Sequence, residues 1–262
     1  MLGAIVGDIV GSIYEFNNIR RKDFDLFVPR SHVTDDTIMT LAVAKALAEA
    51  APTYDRLKET LILSMKGLGR LYPSAGYGTR FEAWIFSRNE EPYNSYGNGA
   101  AMRVSPVAYV ANSIEEVKSL SHVATAVTHN HPEGIKGAEA TAVATYMART
   151  GESMESIRQH IEDRYYTIDF DCASLRMSYG FDESCQGTVP QALQCFFEST
   201  DFEDAIRNAI SIGGDSDTVA AICGAVAGAY YGIPNTISNT ALTYMDTQQK
   251  AILTSFEHMF MK

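Results

Sequence analysis

Thr34-Asp35-Asp36-Thr37-Ile38-Met39-Thr40-Leu41-Ala42-Val43-Ala44-Lys45-Ala46-Leu47-Ala48 is the stretch that decides the fold. Ala, Leu, Met and Lys are strong helix formers, and neither Gly nor Pro interrupts the run. Its residues are apolar almost all round instead of along one stripe, which predicts a buried helix. The Thr and Asp residues just before it are those favoured where a helix starts.

The same signals recur outward from this segment. Ser113-Ile114-Glu115-Glu116 reads as a capping box, with Ser113 as N-cap and Glu116 three residues on, opening a helix toward Val127. Pro132 suits the first position of a helix reaching about Arg149. Asp201 caps a stretch through Ile210, Asp215-Ser216-Asp217-Thr218 precedes a helix from Val219 to Tyr230, and Gln248 to Met261 is again helical in pattern. Alternating segments are scarce; Tyr165 to Phe170 is the best strand candidate. Gly7/Gly11 and Gly224/Gly228 permit close approach of helix backbones. Segments at about 16–33, 70–99 and 163–187 read as loops longer than common connections, and such loops often carry function. No linker, repeat or low-complexity stretch divides the chain. The expectation is one all-α domain over residues 1–262, a compact helical bundle with long loops.

Charge and composition exclude several functions. Among 262 residues, 21 Lys and Arg face 32 Asp and Glu, a net charge of −11. That balance opposes non-specific binding to nucleic-acid phosphates and docking on anionic membranes. The cysteines (Cys172, Cys185, Cys195, Cys223) lie far apart with no Cys-x-x-Cys pair, so buried free thiols are expected, not a zinc knuckle or a disulfide framework. The start, Met1 to Asp8, is apolar but has no basic region and carries an acid, unlike a signal peptide. No run approaches the roughly 18–20 apolar residues that span a bilayer. A cytoplasmic location is the expectation.

Two segments place acids at the start of an apolar helix: Thr34-Asp35-Asp36-Thr37 and Asp215-Ser216-Asp217-Thr218. Either alone could be a helix cap with acids complementing the dipole. One carboxylate suffices for a cap, however, and each segment supplies two. If both helix starts met, the carboxylates could not all ionise without counter-charge. A divalent cation supplies it, and oxygen-only ligands select hard ions such as Mg²⁺, Mn²⁺ or Ca²⁺. Glu15, after the apolar, glycine-containing start of the chain, is a candidate acid/base or metal-shell group, or simply a helix end.

A second constellation is Ser95-Tyr96-Gly97-Asn98-Gly99-Ala100-Ala101-Met102-Arg103. Glycines before a helix expose N–H groups that can cradle a phosphate without a lysine; a plain glycine turn is the alternative. Tyr96 is placed to stack on a base or ribose. Gly76-Tyr77-Gly78 has the same two readings. In Thr128-His129-Asn130-His131-Pro132 the histidines are two apart, which does not fit a helical zinc pair and fits a turn and cap. No Gly-x-Ser-x-Gly elbow or cysteine nucleophile signature is present, and Trp84 reads as core.

Taken together, these segments resemble the ADP-ribosylglycohydrolase family, the ADP-ribosyl-acceptor hydrolases. The resemblance is carried, in order, by Gly7-Asp8-x-x-Gly11-Ser12-x-Tyr14-Glu15, Thr34-Asp35-Asp36-Thr37, Tyr96 to Arg103, Thr128-His129, Thr188-Val189-Pro190-Gln191-Ala192 and Gly213 to Thr218. It implies an orthogonal helical bundle with a two-metal centre, Mg²⁺ or Mn²⁺, in a cleft that takes ADP-ribose. By motif position it implies Thr34, Asp35, Asp36, Asp215, Asp217 and Thr218 as ligands, with Asp217 bridging and Glu15, Asp36 and Asp217 catalytic. Gly76, Tyr77, Gly78, Ser95, Tyr96, Gly97, Asn98, Gly99, Met102, Arg103 and His129 would bind substrate. The expected activity is hydrolysis of an N- or O-glycosidic bond between ADP-ribose and an acceptor, expected to be a protein side chain. A non-catalytic ADP-ribose-binding module and a metal-dependent nucleotide-diphosphate phosphohydrolase are the alternatives. Gly76-Tyr77-Gly78-Thr79-Arg80 lacks the aspartate of the dinitrogenase-reductase branch and is more similar to the branch with serine-ADP-ribose hydrolases, so arginine specificity is not implied.

Overall fold

The computed structural model describes residues 1–261. Its elements are α1 (Leu2–Gly11), α2 (Asp35–Ala50), α3 (Leu57–Leu71), α4 (Thr79–Phe86), α5 (Gly99–Met102), α6 (Val107–Val110), α7 (Ile114–Ala126), α8 (Pro132–Arg149), α9 (Met154–Arg164), α10 (Cys172–Ser178), α11 (Cys185–Phe197), α12 (Phe202–Ser211), α13 (Ser216–Tyr231), α14 (Asn235–Thr243) and α15 (Thr247–Phe260). The all-α expectation holds: the described residues contain no strand, and Gly97 and Ser184 form an isolated antiparallel bridge. Tyr165 to Phe170, the strand candidate, is irregular. Tyr166 and Ile168 are buried there while their neighbours face outward, so the alternation is real but no second chain segment pairs with it.

At the centre lies α13, packed against α1, α8, α11 and α12. Small residues make the tightest of these contacts possible. A Cβ on Gly7 would fall 2.0 Å from the Ala220 carbonyl oxygen, and one on Gly11 would fall 2.3 Å from the Asp217 Cα. Backbone therefore lies against backbone along the α1–α13 crossing, and the C-terminal end of α1 touches the start of α13. The decisive helix α2 is buried nearly all round from Asp36 to Leu47, as its composition requires.

Two long segments expected as loops contain helix. α4 interrupts 70–99, and α10 with the first turn of α11 interrupts 163–187; both helices are short, and their apolar residues are few enough to hide the periodicity. The stretch 16–33 is free of regular structure as expected. Ser113 caps α7 by accepting from the Glu116 N–H, but the reciprocal half of the box differs: Glu116 Oε2 accepts from the Asn112 N–H at 2.7 Å. All of the cysteines are free and buried, and Trp84 is buried with its ring stacked on Phe81. No helix among the described residues is long and apolar enough to cross a membrane.

Candidate active site

The two acid-bearing helix starts meet. A cleft of about 500 Å³ is lined by Asp35 and Asp36 from α2, by Asp215, Asp217 and Thr218 at the start of α13, and by Glu15 beyond α1. That volume is in the range of small-molecule sites. A larger groove of about 840 Å³ lies elsewhere, along the outer face of α15, and it is open and carries no acid cluster. Its acid cluster makes the smaller one the candidate site.

Capping does not explain the acids. In α2 the cap is Thr34, whose hydroxyl accepts from the Asp36 N–H, leaving both carboxylates free of that duty. In α13, Asp215 sits at the cap position without capping; its Oδ2 instead accepts from Asn98 Nδ2 at 2.7 Å. Asp36 Oδ1 accepts from the Thr218 hydroxyl at 3.3 Å, and Asp36 Oδ2 is buried with no partner. An orphaned buried carboxylate oxygen is costly unless something positive reaches it. Glu15, Asp215 and Asp217 bring one oxygen each to within 4.8 Å of one another. Thr34, expected among the ligands, lies beneath this group: its hydroxyl donates to Asp8 Oδ1 at 2.6 Å, and the residue does not line the cleft.

The electrostatic consequence is uniform. Burial, then repulsion from Asp217, holds Asp35 and Asp36 well above the usual carboxylate range. Asp217 is raised by burial and by Asp215. Burial takes Asp215 to about 6, and burial with repulsion from Asp217 takes Glu15 to about 8. Acids raised together in one cleft, with oxygen-only donors and an orphaned oxygen, match what a hard divalent cation requires.

The glycine loop lines the same cleft and meets the acids through Asn98. Asn98 N–H donates to the Glu183 carbonyl at 2.7 Å and Cys185 N–H to the Tyr96 carbonyl at 2.9 Å, which ties the loop to the start of α11. Gly97 N–H is taken by Ser95 Oγ. Of the expected N–H cradle this leaves the Gly99 N–H, at the first position of α5, in a residue that lines the cleft. Gly76, Tyr77, Gly78, Ser95, Gly97, Asn98, Gly99, Met102, Arg103 and His129 all line the cavity. Tyr96 does not: it is half exposed, with its ring edge-on to His131. His131 itself caps α8 by accepting from the Glu133 N–H.

Several lining residues were not anticipated: Phe16, Thr79, Arg80, Phe81, Tyr93 and Glu183. All of them fall in or beside the long segments flagged as loops, which was the available signal. Arg80 donates to the Tyr93 carbonyl and lies over its ring, and two guanidiniums, Arg80 and Arg103, line the cleft. Asp8 was also missed as a functional residue. It is fully buried and accepts from the N–H and hydroxyl groups of both Thr34 and Thr37, fixing the start of α2. An acid in the middle of an apolar helix was its signal.

A family model described as ADP-ribosylglycohydrolase matches residues 1–249. A human protein named ADP-ribosylhydrolase ARH3 is 27% identical, over 89% of this chain and 84% of its own. ADP-ribosylarginine hydrolase Tri1 of Pseudomonas putida is 26% identical, over 89% of this chain and 70% of its own. A solved structure titled ADP-ribosylglycohydrolase-related protein complex superposes with a TM-score of 0.72 at 24% identity, over 98% of this chain and 96% of that one.

Proposed function

The chain belongs to the ADP-ribosylglycohydrolase family and is a glycohydrolase, and from that premise we propose that it hydrolyses the bond joining ADP-ribose to a protein side chain, releasing intact ADP-ribose, with Mg²⁺ or Mn²⁺ bound. The observation that carries the reading is the joint lining of one cleft by clustered acids, guanidiniums and a glycine loop. Acids from α2 and α13 line it together with Arg80, Arg103 and the Gly97–Gly99 backbone, and Asn98 of that loop donates to Asp215 Oδ2. A ligand in which an anionic diphosphate is joined to a neutral, hydroxyl-rich ribose suits that combination.

Asp35, Asp36, Asp215, Asp217 and Thr218 would hold two cations, with Asp217 between them. When bound, the cations supply positive charge that attracts ribose hydroxyls and water and lets the carboxylates ionise. The glycine loop and the guanidiniums hold the diphosphate. Gly97 and Gly99 leave room for it, since a Cβ on Gly99 would meet nothing nearer than His129 at 3.5 Å.

Glu15 is the acid suited to proton handling. It is half-buried on irregular chain, with a carboxylate oxygen within 4.8 Å of oxygens of Asp215 and Asp217. A carboxyl so placed can take a proton from water or return one to a leaving group. The bond being broken would develop oxocarbenium character, which nearby carboxylates stabilise.

Mass spectrometry of the products from ADP-ribosylated peptides tests the proposal. Intact ADP-ribose is the expected product, whereas AMP would replace this reading with diphosphate hydrolysis. Peptides modified on serine and on arginine, compared side by side, identify the linkage.

A further inference from the structure

Beside the glycine loop, Arg103, Thr128 and His129 form a line of buried side chains whose middle member, Thr128, has no part in the chemistry above. Arg103, 1% exposed, donates from Nη2 to the Thr128 hydroxyl at 2.6 Å, and that hydroxyl lies 2.8 Å from His129 Nδ1. Thr128 is fully buried, and its hydroxyl has no other partner among the described residues.

A guanidinium is donor only, so the Thr128 oxygen must accept from Arg103. The Thr128 proton then needs an acceptor, and His129 Nδ1 is the only one in reach. Were Nδ1 protonated, the hydroxyl hydrogen would be buried without a partner, at the cost of an unmade hydrogen bond. The ring proton therefore sits on Nε2. That nitrogen has no partner among the described residues, and it lies 3.5 Å from where a Cβ on Gly97 or on Gly99 would stand. Burial, with Arg103 and Arg80 nearby, holds His129 far below its ordinary pKa, in keeping with a neutral ring.

We propose that Thr128 is a positioning residue: it relays the fixed polarity of Arg103 to His129, so that a neutral imidazole presents an Nε2–H donor into the glycine loop, where it binds a phosphate oxygen. The ligand half of this proposal rests on the ADP-ribose reading; the tautomer half does not. The arrangement adds a directed donor to a loop in which Ser95 and Glu183 already occupy two of the N–H groups.

The test pairs a spectrum with an affinity. Long-range ¹H–¹⁵N spectra of the ligand-free protein should show His129 with a pyrrole-type Nε2 and a pyridine-type Nδ1. Thr128→Val, which keeps shape and removes the hydroxyl, should lose that pattern and weaken ADP-ribose binding about tenfold or more by calorimetry; Thr128→Ser should restore both. A wild-type ring protonated on Nδ1, or a Thr128→Val protein with the wild-type tautomer and wild-type affinity, would overturn the proposal. Should Thr128→Val fail to fold, the wild-type spectrum and Thr128→Ser decide it. Absence of ADP-ribose binding to the wild-type protein, with the tautomer as stated, would overturn the functional reading and leave the relay standing.

Discussion

Glu15 separates chemistry from binding at the scale of one residue. Glu15→Gln keeps the size and much of the hydrogen bonding but removes the exchangeable charge. If Glu15 handles a proton in the transition state, kcat should fall by about a hundredfold or more, with ADP-ribose affinity changed far less. Steady-state kinetics with calorimetry check this, and normal turnover would take Glu15 out of the chemistry. At this scale the sequence told a good deal. Doubled acids before an apolar helix were legible because one carboxylate is enough for a cap, and the structure places Asp35, Asp36, Asp215 and Asp217 around one cleft. What could not be read was direction. Tyr96 lies in the glycine loop yet faces His131 instead of the cavity, and Thr34 turns down onto Asp8. A side chain's aim depends on partners distant in sequence, and here those partners are 35 and 26 positions away.

At the scale of elements, the α1–α13 crossing sets the site. Gly11 brings the end of α1 against Asp217, and the chain then runs four residues to Glu15. Gly11→Ala should force the two backbones apart, because the new Cβ would lie 2.3 Å from the Asp217 Cα and both helices are rigid there. The expected cost is about 1–3 kcal/mol, read as a fall of several degrees in Tm. Weaker Mn²⁺ binding should accompany it in calorimetry. A variant with unchanged Tm and metal affinity would show that the crossing can widen without disturbing the acids. The long helices were legible from caps and composition: Pro132 opens α8 and Asp201 caps α12 as read. Short α4 and α10 were not, since two turns of helix offer too few residues for a period to emerge. Neither was the pair of left-handed glycines before α13. Gly213 and Gly214 have φ of +70° and +75°, and the side chains of Arg20 and Tyr179 pack where their Cβ atoms would be; that φ and those neighbours come from the fold and are not written in the local sequence.

For the whole molecule, the acids impose a dependence on pH and on cations. Glu15 and Asp215 hold protons more tightly when folded, to about 8 and 6, than their ordinary values of 4.5 and 3.8. Groups raised in this way favour the folded state at low pH and withdraw that favour as pH rises through the shifted values. In chelator, Tm should therefore fall between about pH 4 and pH 8, and excess Mg²⁺ or Mn²⁺ should recover it most at the upper end, where protons no longer compete. A Tm in chelator that stays level across that range, with no gain from either cation, would remove the cation from the site. The α1–α13 crossing has one more consequence, which concerns synthesis. The acids it unites stand near position 15, at 35–36 and at 215–217, so a growing chain holds the first set for about 180 residues before the second is made. Throughout that interval the glycine face of α1 has no partner, and the apolar flanks around it must be shielded by something other than α13. The site closes only when α13 reaches α1, so activity first becomes possible once synthesis has passed α13, and no shorter nascent chain can act.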